Sequence, residues 1–422
     1  MPVGNLAASM GLQKEYVVPK VEKLALASSR LWKHIKLNTK IKPVSNRPTR
    51  IPLQPLQWGN FAVANLDGGA FPQGSGPQVI PGTVSCVSFV HAAQWTALAE
   101  YTTDTDEKAV QDYATLLTSQ QTEMIAGCMD ALLQSDGSNT LDTVVSVSGN
   151  VLTVNNPNAF MDGQTLDFYN GLLDAGGVFL GSATVLGVDA INVAITLTGP
   201  PPAGTTGGTR MLVSGSPGVS NAGLLGLRAY NVAGNTGLYM NIQKSAYPGK
   251  FNVPNFNAPG VLTPSLVRAI DALMELSMGI EKAQEADLTP HCNVDMVTAW
   301  ENLSLNVQRV DVPTIRGDEQ PDMLKRRRPR TIGGREVLVN ERARPGYIDW
   351  LALAHWFQVQ SKALSLYDVK GQVVFPAYGP AGTIAASNLM YLVIMLQFVS
   401  VQPRLNAYLS GVTIPRYLFG HN

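Results

Sequence analysis

A helical pattern of unusual length covers residues 104–134. Asp104 is placed to cap the first turn, and Glu107 follows it at the spacing of a capping box. Apolar residues then recur about every 3.5 positions as far as Gln134, where Ser135-Asp136-Gly137 predicts a turn. A helix of about 28 residues would be about 42 Å long, more than twice the mean for globular proteins. Because a single apolar stripe runs along it, we expect this helix to lie across a sheet.

The segment before this helix cannot itself be helical. Glycine and proline interrupt Leu66–Gly82 throughout, while its flanks, Trp58–Asn65 and Thr83–Val90, carry apolar and β-branched residues. This pattern is typical of a long two-stranded loop with a flexible tip. Residues 51–107 contain no lysine, so the loop offers no side-chain amine.

Charge is distributed unevenly along a chain that is neutral as a whole. Residues 1–50 hold seven lysines and three arginines against two glutamates, a net charge of +8. Apart from a short helix favoured near Val21–Ile35, this segment is predicted to be an arm that contacts a polyanion or an acidic neighbour. The whole chain has 31 basic and 31 acidic residues, and only 15% of its residues are charged. A neutral, charge-poor surface promotes association and argues against a dedicated nucleic-acid binder.

Residues 141–215 are predicted to form a small all-β domain that is inserted as one unit. A Gly149-Asn150 turn separates two short apolar alternations, and Ile191–Leu197 alternates cleanly between apolar and polar or small residues. The stretch holds five aspartates against one arginine, a net charge of −4. That balance predicts exposure, either outward or against a basic segment of a neighbouring chain.

Helices and strands are mixed in the remainder of the chain. Thr263-Pro264 predicts a helix with a threonine cap and proline in its first turn, and Asn293 is placed to cap a second helix. A third helix is predicted over Tyr347–Leu364. The apolar run Leu389–Val401 has 13 residues, fewer than the roughly 20 that a membrane helix needs, and is predicted to be a buried strand. The absence of regular βαβ alternation indicates an α+β chain.

We assign no catalytic, cofactor-binding or metal-binding residue from the sequence and expect a protein that is not an enzyme. The sequence contains none of the phosphate-binding, nucleophile-elbow or zinc-protease motifs. Asp104, Asp106 and Glu107 fit helix capping better than a metal cluster. His291 and Cys292 are adjacent, and in a strand they would point to opposite sides.

Cellular location is constrained by what the sequence does not display. Cys86, Cys128 and Cys292 are too few and too scattered for a disulfide framework, which favours free thiols in a reducing compartment. Met1–Met10 lacks the pattern of a signal peptide. We therefore expect synthesis in the cytoplasm and no membrane span.

The densest charge in the sequence is a basic cluster preceded by acidic residues at 318, 319 and 322. Such a cluster attracts phosphates, yet arginine also suits ion pairs between chains, and a solvated loop is a third interpretation. The candidate intersubunit or DNA-facing residues are Lys325, Arg326, Arg327, Arg328 and Arg330.

The order of these parts resembles the major capsid proteins of tailed bacteriophages, which have the Hong Kong 97-type fold. The resemblance implies an α+β chain with an N-arm, an E-loop, a peripheral domain with a long spine helix, an axial domain and a small all-β insertion domain. The implied boundaries are 1–50 for the basic N-terminal arm, 51–102 for the E-loop and its flanking strands, 103–140 for the spine helix, 141–215 for the inserted all-β domain, 216–388 for the axial domain and connectors, and 389–422 for a peripheral-domain strand and C-terminal tail.

Membership of this family would imply a shell-forming function in the virion. Copies of the chain would form hexamers and pentamers of an icosahedral shell around non-specifically bound double-stranded DNA. Portal and scaffolding proteins, and in some cases a decoration protein, would be its partners. In some members an E-loop lysine is joined covalently to a neighbouring asparagine, but residues 51–107 here have no lysine, so we expect a shell without that crosslink.

Other functions are compatible with parts of the pattern. An encapsulin-like compartment would package enzymes instead of DNA, and a phage tail-tube protein would be richer in strands. An enzyme with a β accessory module would need clustered titratable groups in one cleft, and an adhesin would need an export signal. Deleting residues 141–215 is expected to leave a foldable core and to impair assembly or particle stability.

Overall fold

The structure is a computed structural model, and it describes residues 31–38, 48–56, 76, 78–96, 98–99, 113–234, 236–308, 330–378 and 384–413. Within these ranges no helix combines the length and the apolar character that crossing a bilayer requires. The α-helices are α1 Tyr113–Leu132, α2 Leu227–Tyr230, α3 Pro264–Met278, α4 Ile280–Glu285 and α5 Val294–Gln308. The strands are β1 Lys36–Leu37, β2 Thr49–Leu56, β3 Gln78–Val84, β4 Val87–Thr96, β5 Thr140–Ser148, β6 Val151–Val154, β7 Thr165–Asn170, β8 Val178–Asp189, β9 Ala194–Leu197, β10 Arg210–Val213, β11 Leu238–Tyr239, β12 Ile242–Gln243, β13 Asn255–Val261, β14 Leu288–Cys292, β15 Thr331–Ile332, β16 Arg335–Glu336, β17 Leu338–Val339, β18 Ile348–Ala352, β19 Trp356–Leu366, β20 Val374–Tyr378, β21 Ile384–Ser400 and β22 Ala407–Thr413.

The chain forms two compact units, and each is assembled from three separate segments. The segments of the first unit are Met1–His34, Cys86–Leu224 and Gln360–Leu396. The segments of the second unit are Ile35–Ser85, Leu225–Val359 and Gln397–Asn422.

In the first unit, helix α1 packs against a sheet. Strand β4 pairs antiparallel with β21, from Thr96 opposite Ser387 to Val87 opposite Leu396, and β20 also pairs antiparallel with β21. His91 on β4 brings its Nε2 within 3.2 Å of the Met124 sulfur on α1. The predicted helix against a sheet is therefore confirmed over Tyr113–Leu132, and the predicted late apolar strand is confirmed as β21. Residues 100–112, which include the predicted cap, lie outside the described residues.

A closed six-stranded barrel follows α1 in the same unit, with strand order β10-β5-β6-β9-β8-β7. The predicted turn between β5 and β6 is present, and Gly149 there has a φ of +59°, a backbone conformation that glycine adopts without steric cost. Apolar side chains fill the barrel: Val144, Leu152, Val154, Leu166, Phe168, Val185, Ile195, Leu197 and Met211 are buried in one cluster. The barrel is therefore a packed core that leaves no room for a channel.

The segment that enters the barrel and the segment that leaves it lie side by side. The Gly223 amide donates to the Gly137 carbonyl at 2.7 Å, and the Leu224 amide donates to Asn139 Oδ1 at 2.8 Å. Two residues nearer the helix than Gly137, the Ser135 hydroxyl donates to the Leu224 carbonyl at 3.1 Å. These bonds form a neck that joins the two connections of the barrel.

In the second unit, a five-stranded mixed sheet has the order β13-β22-β18-β14-β17. Its core brings residues of α3 and α5, such as Ile270, Met274 and Met296, together with Trp350 and Leu409 of the sheet. Both predicted caps at the helix starts are confirmed. Thr263 Oγ1 accepts a hydrogen bond from the Leu266 amide at 3.4 Å, and Asn293 Oδ1 accepts one from the Met296 amide at 3.0 Å.

The helix predicted over Tyr347–Leu364 is wrong. This stretch forms β18, a 3-10 turn at Leu353–His355, and β19. All five residues of β18 are buried, so the strand lacks the alternation of a half-exposed strand. The Asn406 side chain stabilises the bend by accepting hydrogen bonds from the Ala352 amide and the Trp356 indole, both at 3.1 Å.

Candidate functional site

Strands β2 and β3 of the second unit form a two-stranded hairpin of their own. They pair antiparallel from Thr49 opposite Val84 to Leu56 opposite Gln78. The strand that begins at Thr49 lies earlier than the predicted flank Trp58–Asn65, whose residues lie outside the described ones. Because Pro52 is directly opposite Pro81, the missing amide hydrogens face away from the partner strand, as edge strands require.

The hairpin is held at the end nearest Val84, which we call the hairpin root. The Thr83 amide donates to the Met240 carbonyl at 2.8 Å, and Asn241 Nδ2 donates to Thr83 Oγ1 at 2.9 Å. A Cβ at Gly82 would meet Met240 at 3.1 Å, so glycine permits this close approach. Towards the other end, Val79 is 58% exposed, which leaves apolar surface in water.

The predicted N-terminal arm, residues 1–50, is fixed before its end. In the first unit, Leu31 is fully buried, and the Trp32 amide donates to Asp130 Oδ1 on α1 at 2.7 Å. In the second unit, β1 pairs in parallel with β19. Thr49 and Arg50, placed at the end of the arm by the sequence, belong to β2.

The structure describes one residue of the predicted basic cluster. Arg330 Nε lies 3.4 Å from Glu301 Oε1 on α5, and both side chains are about 40% exposed. The Arg330 carbonyl accepts a hydrogen bond from the Val337 amide at 2.8 Å, which fixes the start of the β15–β16 hairpin. An exposed ion pair of this kind contributes at most about 1 kcal/mol. Residues 325–328 lie outside the described residues.

Sequence reasoning missed a buried polar row across the second unit's sheet. On three neighbouring strands, Tyr408 lies opposite Asp349 and Asp349 lies opposite His291. Directly opposed residues project from the same face, so the three side chains form one row. His291 is fully buried and Asp349 is 2% exposed. Cys292 belongs to the helix-side core, which agrees with the expectation that it and His291 point to opposite sides.

Arg228 of α2 completes this row. Its guanidinium forms a salt bridge with the Asp349 carboxylate, and it lies 4.4 Å from the ring centroid of Tyr347 and 5.3 Å from that of Tyr408. A buried charge needs such a partner, because desolvation alone would be costly. These contacts of Arg228 fix helix α2 onto the sheet.

The electrostatics of the row keep His291 neutral. Burial lowers the pKa of His291 to about 4, and the positive charge of Arg228 adds to this effect, while Asp349 opposes it. The Asn340 side-chain amide lies 3.3 Å from His291 Nε2. His291 and Asp349, the most polar members of the row, are too deeply buried to meet a substrate, so we assign the row a structural role.

Two of the five aspartates of residues 141–215 are buried in the barrel, while Asp162 and Asp174 are exposed. Asp142 accepts hydrogen bonds from the Asn155 and Asn156 amides at 2.7 and 2.6 Å. Asp167 accepts one from Ser182 at 2.6 Å and one from the Gly215 amide at 2.7 Å. These carboxylates stabilise turns and contribute little to an exposed acidic surface. Across the described part of the chain, no group of three metal-ligating side chains comes together.

Among solved structures, the chain is similar to one in the cyanophage A-1(L) capsid asymmetric unit. The TM-score is 0.58 at 11% identity, over 94% of this chain and 96% of that chain. A weaker likeness is to the capsid of the native GTA particle, with a TM-score of 0.49 and 10% identity over 97% of this chain and 98% of that chain. Another is to the holo-SrpI encapsulin complex from Synechococcus elongatus PCC 7942, with a TM-score of 0.48 and 9% identity over all of both chains. No protein-family model matches the sequence, and no curated protein matches it. At 11% identity the first likeness establishes architecture alone: the chain has the fold found in the cyanophage A-1(L) capsid.

Proposed function

We propose that the chain is a major capsid protein that assembles into an icosahedral shell around double-stranded phage DNA. The observation that carries the proposal is the likeness to the chain in the cyanophage A-1(L) capsid, which extends over 94% of this chain. The same likeness extends over 96% of the other chain. The chain would be located in the virion, after synthesis in the host cytoplasm.

The parts of the Hong Kong 97-type fold are assigned within this proposal. Helix α1 would be the spine helix, and the hairpin β2–β3 would be the base of the E-loop. The barrel would be the inserted domain at 141–215, and the second unit's mixed sheet with its helices would belong to the axial domain. The neck between Gly137 and Gly223 supports the insertion, because a domain inserted as a unit needs adjacent chain ends.

The physical character of the hairpin supports contact with other copies of the chain. A two-stranded hairpin is at best marginally stable alone, and ordering it costs conformational entropy that other contacts must offset. Exposed Val79 and the low overall charge suit the large, apolar interfaces of obligate assemblies. Head-to-tail contacts of this kind close into rings of five or six.

Partners other than the chain itself are part of the proposal. Lys325, Arg326, Arg327, Arg328 and the basic arm would face either an acidic neighbour or packaged DNA. Portal and scaffolding proteins would bind the shell, and a decoration protein is a further candidate. The protein would act without catalysis or a cofactor, since the buried row of Arg228, His291 and Asp349 is explained by packing.

Expression of the chain alone, followed by negative-stain microscopy of the high-molecular-weight fractions, tests this function. Closed shells or rings of five and six subunits would support it. Shells co-purified from the phage-infected host should contain nuclease-protected DNA. Shells that contain a defined protein cargo and no DNA would favour the encapsulin-like alternative, and a monomer with enzymatic activity would contradict both.

A further inference from the structure

Three segment ends of the second unit meet at one side chain. Ser85, Leu225 and Gln397 are each the first or last residue of a segment of that unit. Gln397 Oε1 accepts a hydrogen bond from the Leu225 amide at 2.8 Å, and Gln397 Nε2 donates one to the Ser85 carbonyl at 3.0 Å. The side chain is 2% exposed, so these bonds form away from water, where they contribute most.

Residues 225–240, which we call the connector, are tied to the end of β21 by two further hydrogen bonds. The Tyr230 hydroxyl donates to the Phe398 carbonyl at 2.8 Å, and the Tyr239 hydroxyl donates to the Ser400 carbonyl. Both tyrosines are buried. Through these two side-chain bonds, the connector lies alongside residues 398–400.

This held connector reaches the hairpin root. Met240, directly after Tyr239, accepts the hydrogen bond from the Thr83 amide. The hairpin root is therefore fixed twice from the same end of β21, through Met240 at Thr83 and through Gln397 at Ser85. The side chain at 397 accepts hydrogen bonds from the Leu225 and Phe398 amides and donates one to the Ser85 carbonyl. Among side chains of this length, glutamine alone does both without a change of protonation.

We propose that Gln397 is the positioning residue that fixes the direction of the β2–β3 hairpin for contact with a neighbouring subunit. This inference rests on the proposed shell function. Without Gln397, the Ser85 carbonyl and the Leu225 amide lose their buried partner, and the hairpin keeps its own pairing while its root loosens. The role concerns assembly geometry more than the stability of the core.

Hydrogen exchange and assembly of three variants of the full chain test the proposal. In Gln397→Met, exchange at the Leu225 and Thr83 amides should accelerate about tenfold, the effect of one buried hydrogen bond. Exchange in β14 and β18 should stay as in the unmodified chain. The concentration at which particles form should rise at least tenfold. Gln243→Met, which makes the same replacement at an exposed glutamine of the same unit, is the matched control and should change none of these.

The variant Gln397→Glu tests the accepting and the donating role of the side chain separately. The carboxylate still accepts from the Leu225 amide but cannot donate to the Ser85 carbonyl. Leu225 should therefore stay protected while Thr83 exchanges faster and assembly is impaired. Unchanged exchange at Thr83 in both variants, or a loss of protection that includes β14 and β18, would overturn the proposal. If the unmodified chain forms no particles, the shell function fails, while exchange at Thr83 still decides whether Gln397 holds the hairpin root.

Discussion

His291 and Asp349 lie directly opposite each other on antiparallel strands β14 and β18, and both side chains are buried. A histidine beside a carboxylate would ordinarily gain a proton more readily. Here burial and the nearby Arg228 charge have the larger effect and hold the pKa of His291 at about 4. The second unit therefore contains a neutral histidine that the unfolded chain would protonate near pH 6.5.

This difference predicts that acid destabilises the second unit. Because the pKa of His291 is lower in the folded state, its contribution to stability is complete above pH 6.5 and is lost as the pH falls towards 4. Between pH 7 and pH 5 the loss should be about 2 kcal/mol of unfolding free energy. Denaturant titration of the unmodified chain and of His291→Gln at both pH values measures it. The dependence of the unfolding free energy on pH should become weaker in His291→Gln. It should stay unchanged in His34→Gln, which alters an exposed histidine. An equal pH dependence in all three chains would contradict the assignment of the acid effect to His291.

The salt bridge between Arg228 and Asp349 should show strong coupling. Arg228→Met leaves the Asp349 carboxylate buried without a cation, and breaking a buried pair in this way costs about 3–5 kcal/mol. Replacing both residues, in Arg228→Met with Asp349→Leu, removes the unpaired charge and should recover most of that loss. A double-mutant cycle from denaturant titrations gives the coupling energy. Strictly additive effects of the two changes would mean that the charges do not depend on each other.

The neck predicts that the barrel can be removed cleanly. Since the Gly223 amide donates to the Gly137 carbonyl, a linker of about three glycine or serine residues can replace residues 138–222 without strain. The shortened chain should fold with cooperative thermal unfolding, and the excised barrel should fold by itself because it has its own core. Circular dichroism and hydrogen exchange of the two pieces test this. A shortened chain that is soluble but lacks protection in α1 would show that the barrel is integral to the first unit.

The absence of lysine from residues 51–107 predicts a shell without covalent links from the hairpin. An isopeptide bond to a neighbouring asparagine requires a side-chain amine, which this segment cannot supply. Mature particles boiled in denaturant should therefore run as a single band at the chain mass of 45.2 kDa on a gel. A ladder of multimers that resists reducing agent would contradict the expectation.

Local signals in the sequence were sufficient for some elements and not for others. The caps at Thr263 and Asn293 act within three residues, so the sequence predicts both helix starts. The helix predicted over Tyr347–Leu364 failed because β18 is buried on both faces and shows no alternation. The start of strand β2 at Thr49 was not predicted, since the prolines near Pro52 disguise an edge strand.

The buried row was beyond local reasoning for a different reason. Arg228 and Asp349 are 121 positions apart, and nothing near either residue indicates its partner. One signal was present: Asp349 stands between Ile348 and Trp350 in an apolar run, where a lone carboxylate needs a buried cation. Gln397 gives a similar signal inside the apolar strand β21, and both polar residues proved to be points where distant segments join.

The mass of the purified chain in solution tests the central claim most directly. Analytical ultracentrifugation over a wide concentration range should show rings of five or six copies, or closed shells, in place of a 45.2 kDa species. A chain that sediments as a compact monomer at the highest concentration, with the β2–β3 hairpin protected from hydrogen exchange along its whole length, would contradict the account.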